Sequence, residues 1–302
     1  MNRLLAALLG AVFLGMAGVA AAGPIIIAGT DADDHGFVSG GANFNGWKFM
    51  QSALENLLPQ VGNGQKTAVC IGCNSSSALN AFNSAYGLAT KPVGWTSVVL
   101  TSSTDITGFF NGSGTTNVNN AGLIYMPTDA GNVGGGITAA QVAIVNSNAS
   151  ILNSFVAGGG GLFTQSQNYV TGGFGWLTTL LPGLNVHGDN DGTISNSNSL
   201  TITAAGNAAF PGLTNSDVSN ATPWHNWFDG SLGGLSVLVT GPARGPNRQV
   251  INGAVVLGGG GGTVIVCGQP GQPPCPTPEP ETLPLLGLGL LGLVVALRRK
   301  LK

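Results

Sequence analysis

Acidic side chains and a histidine are concentrated directly after the apolar run at residues 24–28. That run contains Ile25-Ile26-Ile27, and Asp31, Asp33, Asp34 and His35 follow it. Carboxylates beside an imidazole could hold a divalent cation, or they could supply an acid and a base for catalysis. The same aspartates could instead cap the next segment or solvate an exposed loop. Acidic residues are scarce in this chain and still cluster here, so we interpret this loop as a candidate site, with no other cofactor expected.

Two further charged positions are expected at the same end of a predicted sheet. Asp129 follows the apolar run 122–126, and His225 lies between Trp224 and Trp227. In open α/β sheets, ligands bind beyond the carboxyl ends of the strands, which is where we place these residues. The paired indoles could stack on sugars. Alternatively, the two indoles form a partly buried aromatic anchor, and the His225 ring donates a hydrogen bond to a backbone carbonyl.

Short β-branched runs that alternate with helical patterns must position these residues. This alternation is typical of βαβ units. It predicts an open, mainly parallel, doubly wound sheet with helices on both faces and extra strands in the C-terminal third. The strands are expected at 24–28, 68–71, 97–100, 122–126, 161–164, 200–204, 235–239, 250–257 and 263–267. Helices are expected from Trp47 to Leu58, from Ala78 to Tyr86, and from a capping box at Thr138 to a left-handed Gly158; the polar tract 185–198 is interpreted as a loop.

The central part of the chain is similar to a known superfamily. The segment 121–129, the capped helix and the Gly-rich entry 157–163 resemble the class I glutamine-amidotransferase-like, flavodoxin-like superfamily with its ThuA-like branch, over about residues 24 to 240. The resemblance implies a flavodoxin-like sheet. The amidotransferases carry a cysteine nucleophile after the strand that ends here at Phe163, but this chain has Thr164-Gln165-Ser166-Gln167. Ser166 also lacks a G-x-S-x-G elbow. We call the part of the chain between its two terminal segments the body. We therefore favour a non-enzymatic role for the body; the alternatives are a carbohydrate hydrolase or lyase and a carbohydrate-binding module.

The four cysteines allow three disulfide connectivities. We favour Cys267 with Cys275, because the Gly/Pro-rich segment between them can turn back on itself. Cys70 and Cys73 form a C-x-x-C pair, to which we assign a structural rather than a redox role. A zinc site is not expected there, since no histidine follows at ligand spacing.

The charge of the body excludes one class of partner. Residues 23–277 carry five Lys and Arg against ten Asp and Glu, with no basic cluster. Nucleic-acid binding normally needs a basic patch, so we exclude it.

The N-terminal sequence predicts a Sec signal peptide that covers residues 1–22. Arg3 precedes the apolar run Leu4–Ala20, and small residues follow it. We expect the Sec translocon to export the chain and signal peptidase to cut between Ala22 and Gly23. An uncleaved membrane anchor is the alternative.

The C-terminus has three parts in a fixed order. Pro278-Glu279-Pro280 precedes the uncharged run Leu283–Leu297, and Arg298-Arg299-Lys300 follow it. As a helix the run is about 22 Å long, short of a hydrocarbon core of about 30 Å, but cationic ends can snorkel to close the gap. Its Leu/Gly/Val composition leaves no face that could meet water. The basic cluster should stay cytoplasmic, which places everything before Leu283 outside.

This tripartite end resembles the PEP-CTERM sorting signal. The resemblance implies processing near the PEP motif by an inner-membrane exosortase of a Gram-negative bacterium that makes extracellular polysaccharide. We therefore expect an exported protein with an inner-membrane intermediate and a cell-surface or biofilm-matrix destination. Its parts would be a globular α/β domain at 23–268, a Pro/Gly linker at 269–277 and the sorting signal at 278–302, with a transmembrane helix at 283–297. An ordinary C-terminal anchor after a Pro-rich linker is the alternative.

Overall fold

The computed structural model describes residues 22–166, 173–188, 199–219, 225–244 and 250–259. The strands, in chain order, are β1 (Ile25–Ala28), β2 (Gly36–Ser39), β3 (Ala42–Asn45), β4 (Thr67–Ile71), β5 (Thr96–Leu100), β6 (Leu123–Met126), β7 (Gly161–Thr164), β8 (Leu184–Gly188), β9 (Thr201–Ile202), β10 (Asn226–Gly230), β11 (Ser236–Arg244) and β12 (Val250–Gly259). The α-helices are α1 (Gly46–Leu57), α2 (Ser76–Leu88), α3 (Ser103–Asn111), α4 (Ala139–Ser147), α5 (Ala149–Ala157), α6 (Leu177–Leu180), α7 (Ala204–Ala209) and α8 (Asn215–Ser219).

One large sheet carries most of these strands. Its order is β5-β4-β6-β7-β1-β12-β10-β8, and β11 pairs with β12 and β9. The strands from β5 to β1 are parallel, whereas β12, β11, β10, β9 and β8 pair antiparallel. The prediction of a mixed α/β fold with a mainly parallel central sheet and extra C-terminal strands is confirmed.

The order of the parallel strands differs from that of flavodoxin. Counted along the chain, the parallel strands lie in the order third, second, fourth, fifth and first. The flavodoxin order is 2-1-3-4-5. The two orders coincide only if the first strand of this chain takes the place of the fifth strand of flavodoxin. The flavodoxin-like resemblance is therefore not confirmed.

Alternate side chains of the parallel strands pack against opposite helical layers. On one face, Ile26 and Tyr125 join a core that includes Phe49 of α1 and Phe82 of α2. On the other face, Ile27 joins the core formed with helices α3, α4 and α5. Since successive strand residues point to opposite faces, a strand covered on both sides must be apolar throughout. The continuous run Ile25-Ile26-Ile27 meets this requirement.

Several elements differ from the predictions, and each difference has a local cause. The hairpin of β2 and β3 was not predicted, although Gly40 and Gly41 both adopt the positive φ that a tight hairpin turn needs. Helix α3 was also missed, although Ser102 caps it by accepting a bond from the Asp105 amide. The strand expected at 200–204 stops at Ile202, because the Thr203 side chain caps α7.

The prediction that 185–198 is a loop is wrong in its first part. Leu184–Gly188 forms β8, which pairs with β10, and β10 has no counterpart among the predicted strands. Residues 189–198 and the strand expected at 263–267 lie outside the described residues.

The predicted capping box is confirmed, but the helix that it begins is interrupted. Thr138 Oγ1 accepts a bond from the Gln141 amide, and Gln141 Oε1 accepts one from the Thr138 amide. Helix α4 ends at Ser147 and α5 begins at Ala149, so Asn148 separates them. The left-handed conformation expected at Gly158 occurs instead at Gly159, with φ 94°.

Replacing Thr138 by Ala should destabilise the fold, because the first turn of α4 loses an acceptor for its exposed amides. We expect a loss of about 1 kcal/mol in the free energy of unfolding, measured in urea. Thr107→Ala, at an exposed position within α3, is the matched control and should change stability by less than about 0.5 kcal/mol. Equal losses in the two variants would contradict the capping role.

Candidate functional site

The carboxyl ends of β1, β6 and β7 meet at one edge of the sheet, where the chain leaves them in different directions. After β1 it leads to α1, which packs on one face of the sheet. After β7 it leads to α6, which packs on the other face. Neighbouring strands whose connections part in this way create a crevice for ligands. The loop containing Asp31 lies at this position.

Asp31 is the centre of a polar cluster at this edge. Its side chain is 1% exposed, and its Oδ2 lies 3.0 Å from His35 Nε2 and 3.0 Å from His225 Nε2. The amide nitrogen of Asn132 donates to the same oxygen at 2.9 Å. We call Asp31, His35, His225 and Asn132 the Asp31 cluster. The structure therefore brings together two of the predicted histidine and aspartate positions with a third that is 194 residues away in the chain.

His225 reaches Asp31 because backbone bonds tie the start of β10 to the end of β1. The amides of His225 and Asn226 both donate to the Gly29 carbonyl, at 2.7 and 3.0 Å. The Ser166 hydroxyl, after β7, also donates to the Asn226 side chain. The His225 ring itself contacts Asp31 through Nε2, so the ring takes part in this polar cluster.

The two imidazoles keep the buried Asp31 carboxylate in its charged form. Burial raises the pKa of Asp31, but hydrogen bonds from His225 and His35 and their charges lower it, and the net pKa lies below its usual value. The hydrogen bond with Asp31 likewise raises the pKa of His35. The contact between the two groups therefore lowers the pKa of Asp31 and raises that of half-buried His35.

Asp33 has a different environment from Asp31. Its side chain is fully buried, and Oδ2 accepts a bond from the Thr128 amide at 2.8 Å. Burial raises the pKa of Asp33 to about 7, and the charge of Asp31 adds to the rise. Burial, together with the charge of Asp33, also raises the pKa of the Tyr125 hydroxyl. Two aspartates that are two positions apart thus differ in protonation near neutral pH.

The remaining predicted carboxylates occupy the margins of the cluster. Asp34 is partly exposed, and its Oδ2 lies 4.0 Å from His35 Nε2. Asp129 is fully buried, and its Oδ1 accepts a bond from the Gly131 amide at 2.9 Å. Asp129 thereby shapes the loop that carries Asn132 to Asp31, and Asn132 itself was not predicted.

Gln165, directly after β7, is a further polar residue near the cluster that the sequence analysis does not predict. Its Oε1 accepts bonds from the Thr30 hydroxyl at 3.2 Å and from the Ala32 amide at 3.1 Å. Its amide nitrogen donates to the Tyr125 hydroxyl at 3.3 Å. Gln165 therefore connects β7 to the loop of Asp31. A buried polar residue after an apolar strand was the available sequence signal.

The aromatic and cysteine predictions have separate outcomes. Trp227 is buried in the core and stacks on His187 with ring centroids 4.0 Å apart, so its indole offers no open platform for a sugar. Trp224 lies outside the described residues, as do Cys267 and Cys275. Cys70 and Cys73 form a disulfide in the buried core, in agreement with a structural role.

Comparison with known proteins identifies the C-terminal end. Residues 276–300 match the family described as the PEP-CTERM protein-sorting motif. The chain carries a PEP-CTERM sorting motif. This motif supports an exported protein that exosortase sorts, with a membrane-anchored intermediate and a cell-surface or extracellular destination. No curated protein and no solved structure matches the chain.

The PEP-CTERM motif and its apolar run at 283–297 lie outside the described residues. Among the residues that the structure does describe, no helix combines the length and the apolar character that crossing a bilayer requires.

Replacing Asp33 by Asn should change how stability depends on pH. The folded-state pKa of Asp33, about 7, lies above its usual 3.8, so folding favours the protonated form. Wild-type stability should then decrease as pH rises from about 4 to about 7, whereas Asp33→Asn lacks this decrease. The stability of the variant relative to wild type should therefore rise over this range, by at most about 1.4 kcal/mol per pH unit.

Urea unfolding at several pH values measures this difference. Asp217→Asn is the control of opposite sign, because Lys48 and Thr214 hold the pKa of Asp217 below its usual value despite its partial burial. Its deficit relative to wild type should be fully present above about pH 4 and should shrink only below it. A flat difference for Asp33→Asn between pH 4 and 7 would show that Asp33 is ionised in the folded protein.

Proposed function

We propose that this protein is exported through the Sec translocon, held in the inner membrane by a helix at 283–297, and transferred by exosortase to the cell surface or the extracellular matrix. The match of residues 276–300 to the PEP-CTERM motif carries this proposal. The basic residues Arg298, Arg299 and Lys300 would hold the end of the helix in the cytoplasm. Cleavage near Pro278-Glu279-Pro280 would then release everything that precedes it.

The N-terminal processing site fits the start of the described fold. The Gly23 amide donates to the Val156 carbonyl at 2.7 Å, and β1 begins two residues later at Ile25. A chain cut by signal peptidase between Ala22 and Gly23 would keep all of β1. The mature body would then extend to about residue 268, followed by the linker 269–277.

The composition of the body suits an association with extracellular polysaccharide. Residues 23–277 have only five Lys and Arg against ten Asp and Glu, and Gly, Asn, Ser and Thr are abundant. A surface solvated mainly by neutral polar groups avoids binding to nucleic acid and to anionic lipid. We therefore assign the body to the biofilm matrix of a polysaccharide-producing Gram-negative bacterium. The proposal includes a flavodoxin-like sheet for the body, in which β1 takes the place of the fifth strand of flavodoxin.

The sorting proposal is tested by the mass of the mature protein from cells with and without exosortase. We expect loss of the segment after the PEP motif only when exosortase is present. The triple variant Pro278→Ala, Glu279→Ala, Pro280→Ala should keep its tail in both strains. Pro274→Ala, which lies outside the matched residues, should be processed like the wild type. An intact tail in the wild type in both strains would contradict the proposal.

A second candidate function, a hydrolase or lyase that acts on carbohydrate, is favoured by the Asp31 cluster. A carboxylate within 3.0 Å of two imidazole nitrogens is an arrangement that can position a base and an acid. His35 and Asp34 are partly exposed, so a substrate could approach from their side. The cluster also lies beyond the carboxyl ends of β1 and β7, which is the end of the sheet where ligands bind in folds of this class.

The catalytic candidate is tested on polysaccharide isolated from the producing cells. New reducing ends without unsaturated sugar indicate a hydrolase, whereas new reducing ends together with absorbance from unsaturated sugar indicate a lyase. His35→Gln should lower the rate by about a hundredfold or more, if His35 transfers a proton. His187→Gln, outside the cluster, should keep most of the activity. If the wild-type protein forms neither new reducing ends nor unsaturated sugar, the catalytic candidate is excluded.

A further inference from the structure

The two oxygens of the buried Asp31 carboxylate are used very unevenly. Oδ2 lies within 3.0 Å of His35 Nε2, His225 Nε2 and Asn132 Nδ2. Oδ1 is buried, and no hydrogen-bond partner for it occurs among the described residues. An unsatisfied charged oxygen inside a protein is costly, so most buried carboxylates share their donors between both oxygens. Within the part of the chain that the structure describes, one oxygen of this carboxylate is thus left for a further ligand.

The spacing of the polar atoms around Asp31 suits a metal ion. Ligand atoms that bind one ion at about 2.1 Å are about 3.0 Å apart at right angles and about 3.4 Å apart in a tetrahedron. Both imidazole nitrogens lie at 3.0 Å from the carboxylate oxygen. Two imidazoles and one carboxylate are also the protein ligands of many mononuclear metal centres that keep open positions.

We propose that Asp31, His35 and His225 bind one divalent transition-metal ion of the zinc and cobalt type. Asp34 lies on the solvent side of this set, and ligand atoms of Asp31, Asp34 and His35 lie within 4.8 Å of one another. Imidazole nitrogen favours such ions over magnesium and calcium, which prefer oxygen ligands. His35 and Asp34 are each about one-third exposed, which provides an entry path for the ion.

The three proposed ligands come from segments that the fold holds in place. Asp31 and His35 belong to the loop after β1. His225 is fixed by the hydrogen bond that its backbone amide donates to the Gly29 carbonyl. The Asn132 amide, at 2.9 Å from Oδ2, would orient the carboxylate. With three protein ligands, the ion keeps positions for water or for an oxygen atom of a ligand. The sorting of the protein does not enter this inference.

The binding test uses the full-length chain purified in detergent without a histidine tag. The protein is stripped with a chelator, dialysed, and titrated with Zn²⁺ and with Co²⁺ by calorimetry, and bound metal is measured by mass spectrometry. We expect one equivalent per chain. The chain contains three histidines, so His187→Gln is a matched control for His35→Gln and His225→Gln. Each of the two cluster variants should weaken binding by more than about tenfold, whereas the control should not.

Visible absorption of the Co²⁺ form gives a second measurement at the cluster itself. The spectrum should change in His35→Gln, whose side chain is half-buried and whose replacement leaves the core intact. Urea unfolding of each variant shows that weaker binding does not reflect loss of the fold. Failure of the wild type to bind one equivalent would overturn the proposal, as would equal binding by all three histidine variants. Neither result depends on carbohydrate activity, so this test and that of the catalytic candidate fail separately.

Discussion

Burial of the Asp31 carboxylate is the constraint on which the candidate site depends. An ionised carboxylate in a protein interior costs several kcal/mol unless partners of opposite charge or strong donors surround it. Here the partners come from the same loop, from the loop after β6 and from the start of β10. The strands that carry these segments must therefore end at one edge of the sheet, and a change in their order would leave the charge without partners.

The antiparallel part of the sheet has a specific role in this arrangement. Strand β12 pairs with β1, and β10 pairs with both β12 and β8. This pairing brings the start of β10 beside the end of β1, where the Gly29 carbonyl accepts hydrogen bonds from two backbone amides. A purely parallel sheet that ended at β1 would have no element in that position. The C-terminal strands therefore supply a residue to the site as well as extending the sheet.

The sequence predicts local elements better than it predicts which distant residues meet. Buried strands such as β1 and β6 are continuous apolar runs, and the capping box at Thr138 marks the start of α4. Asp31 and His35 are neighbours in the chain, so their cluster was visible. Asn132 was not, because nothing in its residue type separates an amide that contacts Asp31 from one that faces water. His225 was proposed only from the expected position of strand ends.

The sorting motif and the Asp31 cluster differ in how far apart their residues lie in the sequence. The PEP-CTERM motif consists of the consecutive residues 276–300 and can be recognised in the unfolded sequence. The Asp31 cluster exists only after the chain has folded, because Asp31 and His225 are 194 residues apart. A body that served only as a passenger of the sorting tail would have no need to bury a carboxylate against two histidines. Apolar residues at these positions would cost the fold less, since a buried ion pair seldom stabilises a protein more than well-packed apolar groups do. The cluster is therefore a feature of the folded body that the sorting motif does not explain.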